Sequence, residues 1–206
     1  MSLRNILVAT TVAALCAIAT GGNFVIVDED PSSVSVHYTG TVYDSDVFAW
    51  RQVSDYAGHR VVLLTIDSGG GSAYGGLELY WALEAHPRLV TIAGGQTGAW
   101  SAAAIMWLAG DHKLIAENGA VWFHAAFCTW DPEPVPDIGC NTSGFQTLLV
   151  GVLSNAGYHG ETFNWYLNHV QFHYGTDGWI GVDADGWWLR DTGLWYWETF
   201  REEALK

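Results

Sequence analysis

The stretch Gly95-Gln96-Thr97-Gly98-Ala99-Trp100-Ser101, followed by Ala102-Ala103-Ala104-Ile105-Met106-Trp107-Leu108-Ala109-Gly110, decides how this chain is read. It comes after the apolar run Leu89–Ala93, which has the character of a buried strand, and its glycines mark a turn from which a small apolar segment enters a helix. Ser101 falls at that entry. A hydroxyl there meets unpaired backbone N–H groups and the positive end of the helix dipole, a setting that suits an acyl-transfer nucleophile. It equally suits a plain N-cap serine, and the segment alone leaves both roles open. His124, 23 residues further on, ends the apolar run Ala120-Val121-Trp122-Phe123.

A second segment bears on the choice. Residues 61–66, Val-Val-Leu-Leu-Thr-Ile, form a continuous β-branched run of buried-strand type, and Asp67-Ser68-Gly69-Gly70-Gly71-Ser72 leads from it into a helical stretch over 75–85. Three successive glycines let the main chain approach a ligand, so their N–H groups can serve an oxyanion or lie along an extended peptide. Phosphate cradling is the rival use. The run lacks the Gly-Lys-Ser/Thr ending that phosphate loops carry, and the chain's lysines are Lys113 and Lys206 alone.

Taken together, these segments resemble the proteolytic subunit of the Clp protease and its relatives in the ClpP/crotonase superfamily. The resemblance runs over residues 34–127 and more loosely to 194. The family's strand, Ser-Pro-Gly-Gly-Ser turn and helix are similar to residues 61–66, Ser68–Ser72 and 75–85; its Gly-Gln...Ser nucleophile turn is similar to Gly95-Gln96...Ser101, and its histidine-ending strand to residues 120–124. The resemblance implies an α/β fold of repeated β-β-α units with largely parallel strands, an arrangement that the alternation of strand and helix patterns from Val34 onward indicates independently. It implies a serine peptidase with Ser101 as nucleophile, His124 as general base, the N–H groups of Gly70 and Ala102 as oxyanion hole, and Gly69, Gly71 and Ser72 along the substrate groove. Imidazole would take the hydroxyl proton during attack, and fixed N–H donors would stabilise the tetrahedral oxyanion; no cofactor or metal is required. The chain departs from the family in two places. Gly69 stands where the family has proline, and one residue is added between Gln96 and Ser101.

The triad's acid is the open position. Counting back from Thr192-Gly193-Leu194, which resembles the family's Gly-Leu-Val-Asp ending, places it at Asp177; counting forward through a helical pattern over 161–170 lands near Asn168 or His169. Asp183, Asp185 and Asp191 are neighbouring alternatives, and all four aspartates also suit ordinary turns. The signal peptide peptidases of the superfamily use a serine–lysine dyad. Here Lys206 is terminal and Lys113 opens the strand pattern over 112–116, so neither is an obvious base.

The chain of 206 residues, half of them apolar, can bury a substantial core and is most simply one domain over residues 20–206. Residues 1–19 read as a secretory signal peptide: Arg4 supplies the positive charge, residues 6–18 the apolar stretch, and Ala17-Ile18-Ala19 the small-x-small cleavage pattern. An uncleaved anchor and a buried N-terminal element are the alternatives. The apolar run is short for a membrane span, which takes about 20 residues. Cleavage would remove Cys16 and leave Cys128 and Cys140, an even count that in an exported protein favours a disulfide; unpaired thiols are the alternative. The bridge would close a 13-residue loop carrying Pro132, Pro134 and Pro136 and would stabilise by about 3 kcal/mol. A periplasmic or secreted protein is expected.

The formal charge of −14 speaks against nucleic acid or anionic membrane surfaces as partners, and the scarcity of Lys and Arg disfavours coenzyme A, whose phosphates seek cations. Twelve tryptophans, six of them beyond residue 164 with Trp179, Trp187, Trp188, Trp195 and Trp197 crowded near the end, suit either core filling or an aromatic self-association surface. His169 and His173 have i,i+4 spacing, but the glutamate of a zinc-protease motif is absent and no metal site is assigned. The sequence therefore points to an exported peptidase acting on peptides or unfolded proteins as a homo-oligomer, with no ATPase partner specified. A catalytically silent member of the fold, serving in binding or assembly, is the alternative.

Overall fold

A computed structural model of the chain describes residues 21–124, 142–158, 180–183 and 186–189. The chain divides into two compact units, Met1–Gly119 and Ala120–Lys206, and each is described by itself.

In the first unit, β1 (Asn23–Glu29) and β2 (Ser33–Thr39) form an antiparallel hairpin with a bulge between Ile26 and Asp28. Asp30 closes its turn, its Oδ1 accepting from the N–H groups of Ser32 and Ser33. Helix α1 (Asp46–Ala57) then carries the chain to β3 (Val61–Asp67), which pairs in parallel with β2. Helix α2 (Ala73–Glu84), β4 (Leu89–Ala93), the two-residue β5 (Ala99–Trp100), helix α3 (Ala102–Trp107) and β6 (His112–Ile115) complete the unit. The sheet order is β1-β2-β3-β4-β6, parallel from β2 onward.

Burial alternates along β2 and β3, so Val34, Val36 and Tyr38, with Val62, Leu64 and Ile66, all point to one face. Tyr38 on that face packs 4.6 Å from the ring of Phe24, which in turn meets Trp50 of α1, and Leu77, Tyr80 and Leu83 of α2 are also fully buried. Trp50 is fully buried, its indole N–H donating to the Ala82 carbonyl at 2.8 Å and its ring packed 5.6 Å from that of Phe24. Helix α3 is apolar all round and buried along its whole length, as Ala102–Trp107 suggests.

In the second unit, β7 (Ala120–Phe123), β8 (Ile180–Asp183) and β9 (Gly186–Leu189) form an antiparallel meander, and helix α4 (Thr142–Asn155) lies between β7 and β8 in sequence. Trp122 lies against Gly181, where a side chain would strike its ring. Element order gives β-β-α three times, as β1-β2-α1, β4-β5-α3 and β6-β7-α4, with the β3-α2 repeat carrying a single strand. The protein is thus a mixed α/β fold with a mostly parallel main sheet. Among the described residues, no helix is long and apolar enough to cross a membrane.

Candidate active site

The C-terminal ends of parallel strands are where open α/β sheets place ligands. Here the ends of β3 and β4 carry the two glycine-rich turns. Ser68–Ser72 leaves β3 and is held on both sides: the Ser68 N–H donates to the Gly98 carbonyl and the Trp100 N–H to the Ser68 carbonyl, while the Val42 N–H donates to the Gly70 carbonyl and the Ser72 N–H to that of Val42. The turn is thereby fixed between residue 42 and the segment that leads into Ser101.

Ser101 sits between β5 and α3 with φ 55° and ψ −121°, the one non-glycine at positive φ among the described residues. A capping serine has β-region backbone angles and bonds its hydroxyl to the first helical turn. Ser101 does neither, since its side chain makes no capping bond. A sharp strand-to-helix turn that holds a half-buried serine in a strained conformation is the geometry of a nucleophile elbow, with a strain of about 1–3 kcal/mol supplied by the surrounding packing.

Gly70 lies against it. A Cβ on Gly70 would stand 2.6 Å from Ser101 Cβ, 2.7 Å from the Trp100 oxygen and 3.0 Å from the Ala102 nitrogen. With φ at +95°, the position admits glycine and nothing larger. The fold therefore brings Gly70, Ser101 and Ala102 together. The Gly70 N–H donates to Ser68 Oγ at 3.1 Å, and that hydroxyl donates to the Gly40 carbonyl at 2.5 Å.

Gly69, Gly71 and Ser72, expected along a substrate groove, have distinct settings. Gly69 is exposed with open space where a side chain would stand, and Gly71 is bridged to Val42. Ser72 caps α2, its Oγ accepting from the Gly75 N–H at 3.1 Å while donating to Asp44 at 2.6 Å.

Asp67, the last residue of β3, received no role in the sequence reading. Its Oδ1 accepts from the Thr97 N–H at 2.7 Å and its Oδ2 from the Gln96 N–H at 3.1 Å. Burial works against ionisation; the N–H bonds of Thr97 and Gln96, the Thr97 side chain and the nearby His37 outweigh it and hold the carboxyl below its ordinary value. An aspartate at a strand end facing a Gly-Gln-Thr-Gly turn was the available signal.

Lys113 donates to the Gly110 carbonyl at 2.9 Å, beyond the end of α3 opposite Ser101, and burial lowers its pKa against the pull of Asp111. Its ammonium is thus bound away from the serine.

His124 follows β7 in the second unit and is half-buried. Asp183 ends β8, paired with Ala120 across the strands. Asp177, Asp185, Asp191, Cys16, Cys128, Cys140, His169, His173, Lys206 and residues 1–19 lie outside the described residues.

No family model and no curated protein sequence matches this chain. Solved structures do. The 1510-N membrane-bound stomatin-specific protease, as a serine-to-alanine mutant, superposes with a TM-score of 0.54 at 10% identity over 69% of this chain and 72% of its own. ClpP1 from Listeria monocytogenes, as an asparagine-to-aspartate mutant, gives 0.54 at 13% identity over 74% of this chain and 84% of its own. The chain has a ClpP-type fold. A lysine-to-alanine mutant of the stomatin-specific protease, in complex with a substrate peptide, matches at 0.54 and 11% identity over 69% of this chain and 68% of its own. At such identities the likeness speaks for the ClpP-type fold alone.

Proposed function

We propose that this protein is an exported, ClpP-like serine peptidase that cleaves peptide bonds through an acyl-enzyme on Ser101. The observation that carries the reading is the backbone of Ser101, strained at a strand-to-helix turn against Gly70 at dihedral angles that a capping serine does not adopt. The shared fold with proteases, one of them in complex with a substrate peptide, supports it.

In this reading Ser101 Oγ attacks the scissile carbonyl carbon while His124 takes its proton, later passing it to the leaving amine; water, activated by His124, then hydrolyses the ester. Asp177 orients the imidazole, with Asp183, Asp185 and Asp191 as alternatives. Gly70 and Ala102 supply N–H donors to the oxyanion, and the substrate lies along Gly69, Gly71 and Ser72. For Gly70 this requires the developing oxyanion to replace Ser68 Oγ as acceptor. The substrate is a peptide or unfolded protein, the enzyme is a homo-oligomer, and it needs no cofactor. Residues 1–19 act as a signal peptide and Cys128 pairs with Cys140 in the exported protein.

One observation favours the second reading, a catalytically silent binding or assembly protein: the Gly70 N–H is already engaged by Ser68. Labelling with a fluorophosphonate separates the two. A covalent adduct on Ser101, lost in Ser101→Ala together with peptide hydrolysis, supports the peptidase. Wild-type protein that neither labels nor cleaves a diverse library of unfolded peptides is the silent form.

A further inference from the structure

One carboxylate holds the turn that presents Ser101. Residues 94–98 wrap around the end of β3 by a series of bonds: the Gly94 N–H donates to the Ile66 carbonyl, the Gln96 and Thr97 N–H groups to the two Asp67 oxygens, and the Ser68 N–H to the Gly98 carbonyl. Asp67 is central to them. Gly95, at φ +83°, brings its main chain so close that a Cβ there would strike the Asp67 carboxylate, so the turn is moulded on that side chain. Neutral alternatives fit less well. Both carboxylate oxygens accept, whereas an asparagine amide would turn a donor toward one of the two N–H groups.

The position of Asp67 gives this grip its consequence. Through its main chain it leads directly into Ser68–Gly70, and through its side chain it fixes Gln96 and Thr97, five and four residues ahead of Ser101. Asp67 thus joins the Gly70 turn and the Ser101 turn alongside the backbone bonds of Ser68 to Gly98 and Trp100. A conformation as strained as that of Ser101 persists only where its surroundings over-determine it. We infer that Asp67 is a positioning residue for the nucleophile: its carboxylate clamps the Gly95–Gly98 turn and so sets the geometry in which Ser101 meets the oxyanion donors. This inference rests on the peptidase reading for its kinetic consequence.

The test is Asp67→Asn, compared with Gly95→Ala, which displaces the same carboxylate from the other side. Three quantities are measured: the rate of fluorophosphonate labelling at Ser101, kcat and KM for a cleaved peptide, and amide hydrogen exchange at Gln96 and Thr97. Expected are a fall of about 10- to 100-fold in labelling rate and kcat, a KM within about threefold of wild type, and faster exchange at the two amides while the β3 and β4 amides stay protected. Wild-type labelling rate in a folded Asp67→Asn protein overturns the inference. If that variant does not fold, Gly95→Ala decides on the same readouts. Wild-type protein that never labels overturns the peptidase reading instead, and the exchange arm still decides whether Asp67 holds the turn, unchanged exchange being the result that refutes it.

Discussion

At Ser101 the backbone strain and the hydroxyl can be separated experimentally. Glycine tolerates positive φ at no steric cost, whereas alanine retains the strain of serine. Ser101→Ala should cost at most about 1 kcal/mol in stability, while Ser101→Gly should exceed Ser101→Ala by about 1 kcal/mol in urea denaturation. An alanine variant more stable than the glycine variant would contradict the observed dihedrals. Both variants should lose fluorophosphonate labelling. Gly70→Ala combines positive φ with contact on Ser101 and Trp100, and is expected to cost at least about 2 kcal/mol and to abolish labelling. Wild-type melting of that variant would show that the turn relaxes freely.

Among the elements, α2 depends most visibly on its first residues. Ser72 caps it and is itself held by Asp44, so Ser72→Ala removes one helix-terminal bond and should lower stability by about 1 kcal/mol in chemical denaturation. A loss below about 0.3 kcal/mol would mean that the helix end is held by packing alone. Gly69→Pro restores the residue that the family carries at an exposed position with open space and no positive φ. It should raise stability by about 0.4–1 kcal/mol by restricting the unfolded chain, and a fall in the denaturation midpoint would reveal strain at this turn.

Over the first unit as a whole, Asp46 ties distant pieces of chain together. It is almost fully buried, and its Oδ2 accepts from the Gly22 N–H, the Tyr38 hydroxyl and the Tyr43 N–H, joining the chain ahead of β1, strand β2 and the residues ahead of α1. Burial, and then the charge of Asp46, push the Tyr38 phenol far above its ordinary value. The folded state thus holds the Tyr38 proton more tightly than the unfolded chain does. Its contribution is fully present below the unfolded pKa of about 10 and is lost as pH rises above it. Urea midpoints measured from pH 7 to 11 should fall above pH 10 in the wild type, and Tyr38→Phe should flatten that fall while lowering the midpoint at pH 7. An unchanged alkaline limb in Tyr38→Phe would assign the effect to other tyrosines. Asp67 acts at the other end of the range: with its pKa depressed, the stability it contributes is present above about pH 4 and is lost on further acidification.

The sequence by itself determined five elements of the first unit, because side-chain periodicity is local: the apolar runs at 61–66 and 89–93 became β3 and β4, the patterns at 75–85 and 112–116 became α2 and β6, and the small apolar run after Ser101 became a buried helix, while β1, α1 and β5 were not assigned from it. That Gly70, Ser101 and Ala102 lie together was implied by the resemblance to the ClpP/crotonase superfamily, and their close approach is seen in the structure, where successive parallel strands end at the same edge. What only the tertiary structure decided is where the polar groups go. That Asp67 grips residues 96 and 97, that Ser68 takes the Gly70 N–H, and that Asp46 gathers three segments depend on partners that are not fixed by any local pattern. The same holds for the backbone of Ser101. From sequence the serine before this helix suits a cap and a nucleophile alike, and its positive φ appears only in the structure, where bonds from Ser68 to Gly98 and Trp100 fix its turn and Gly70 packs against it.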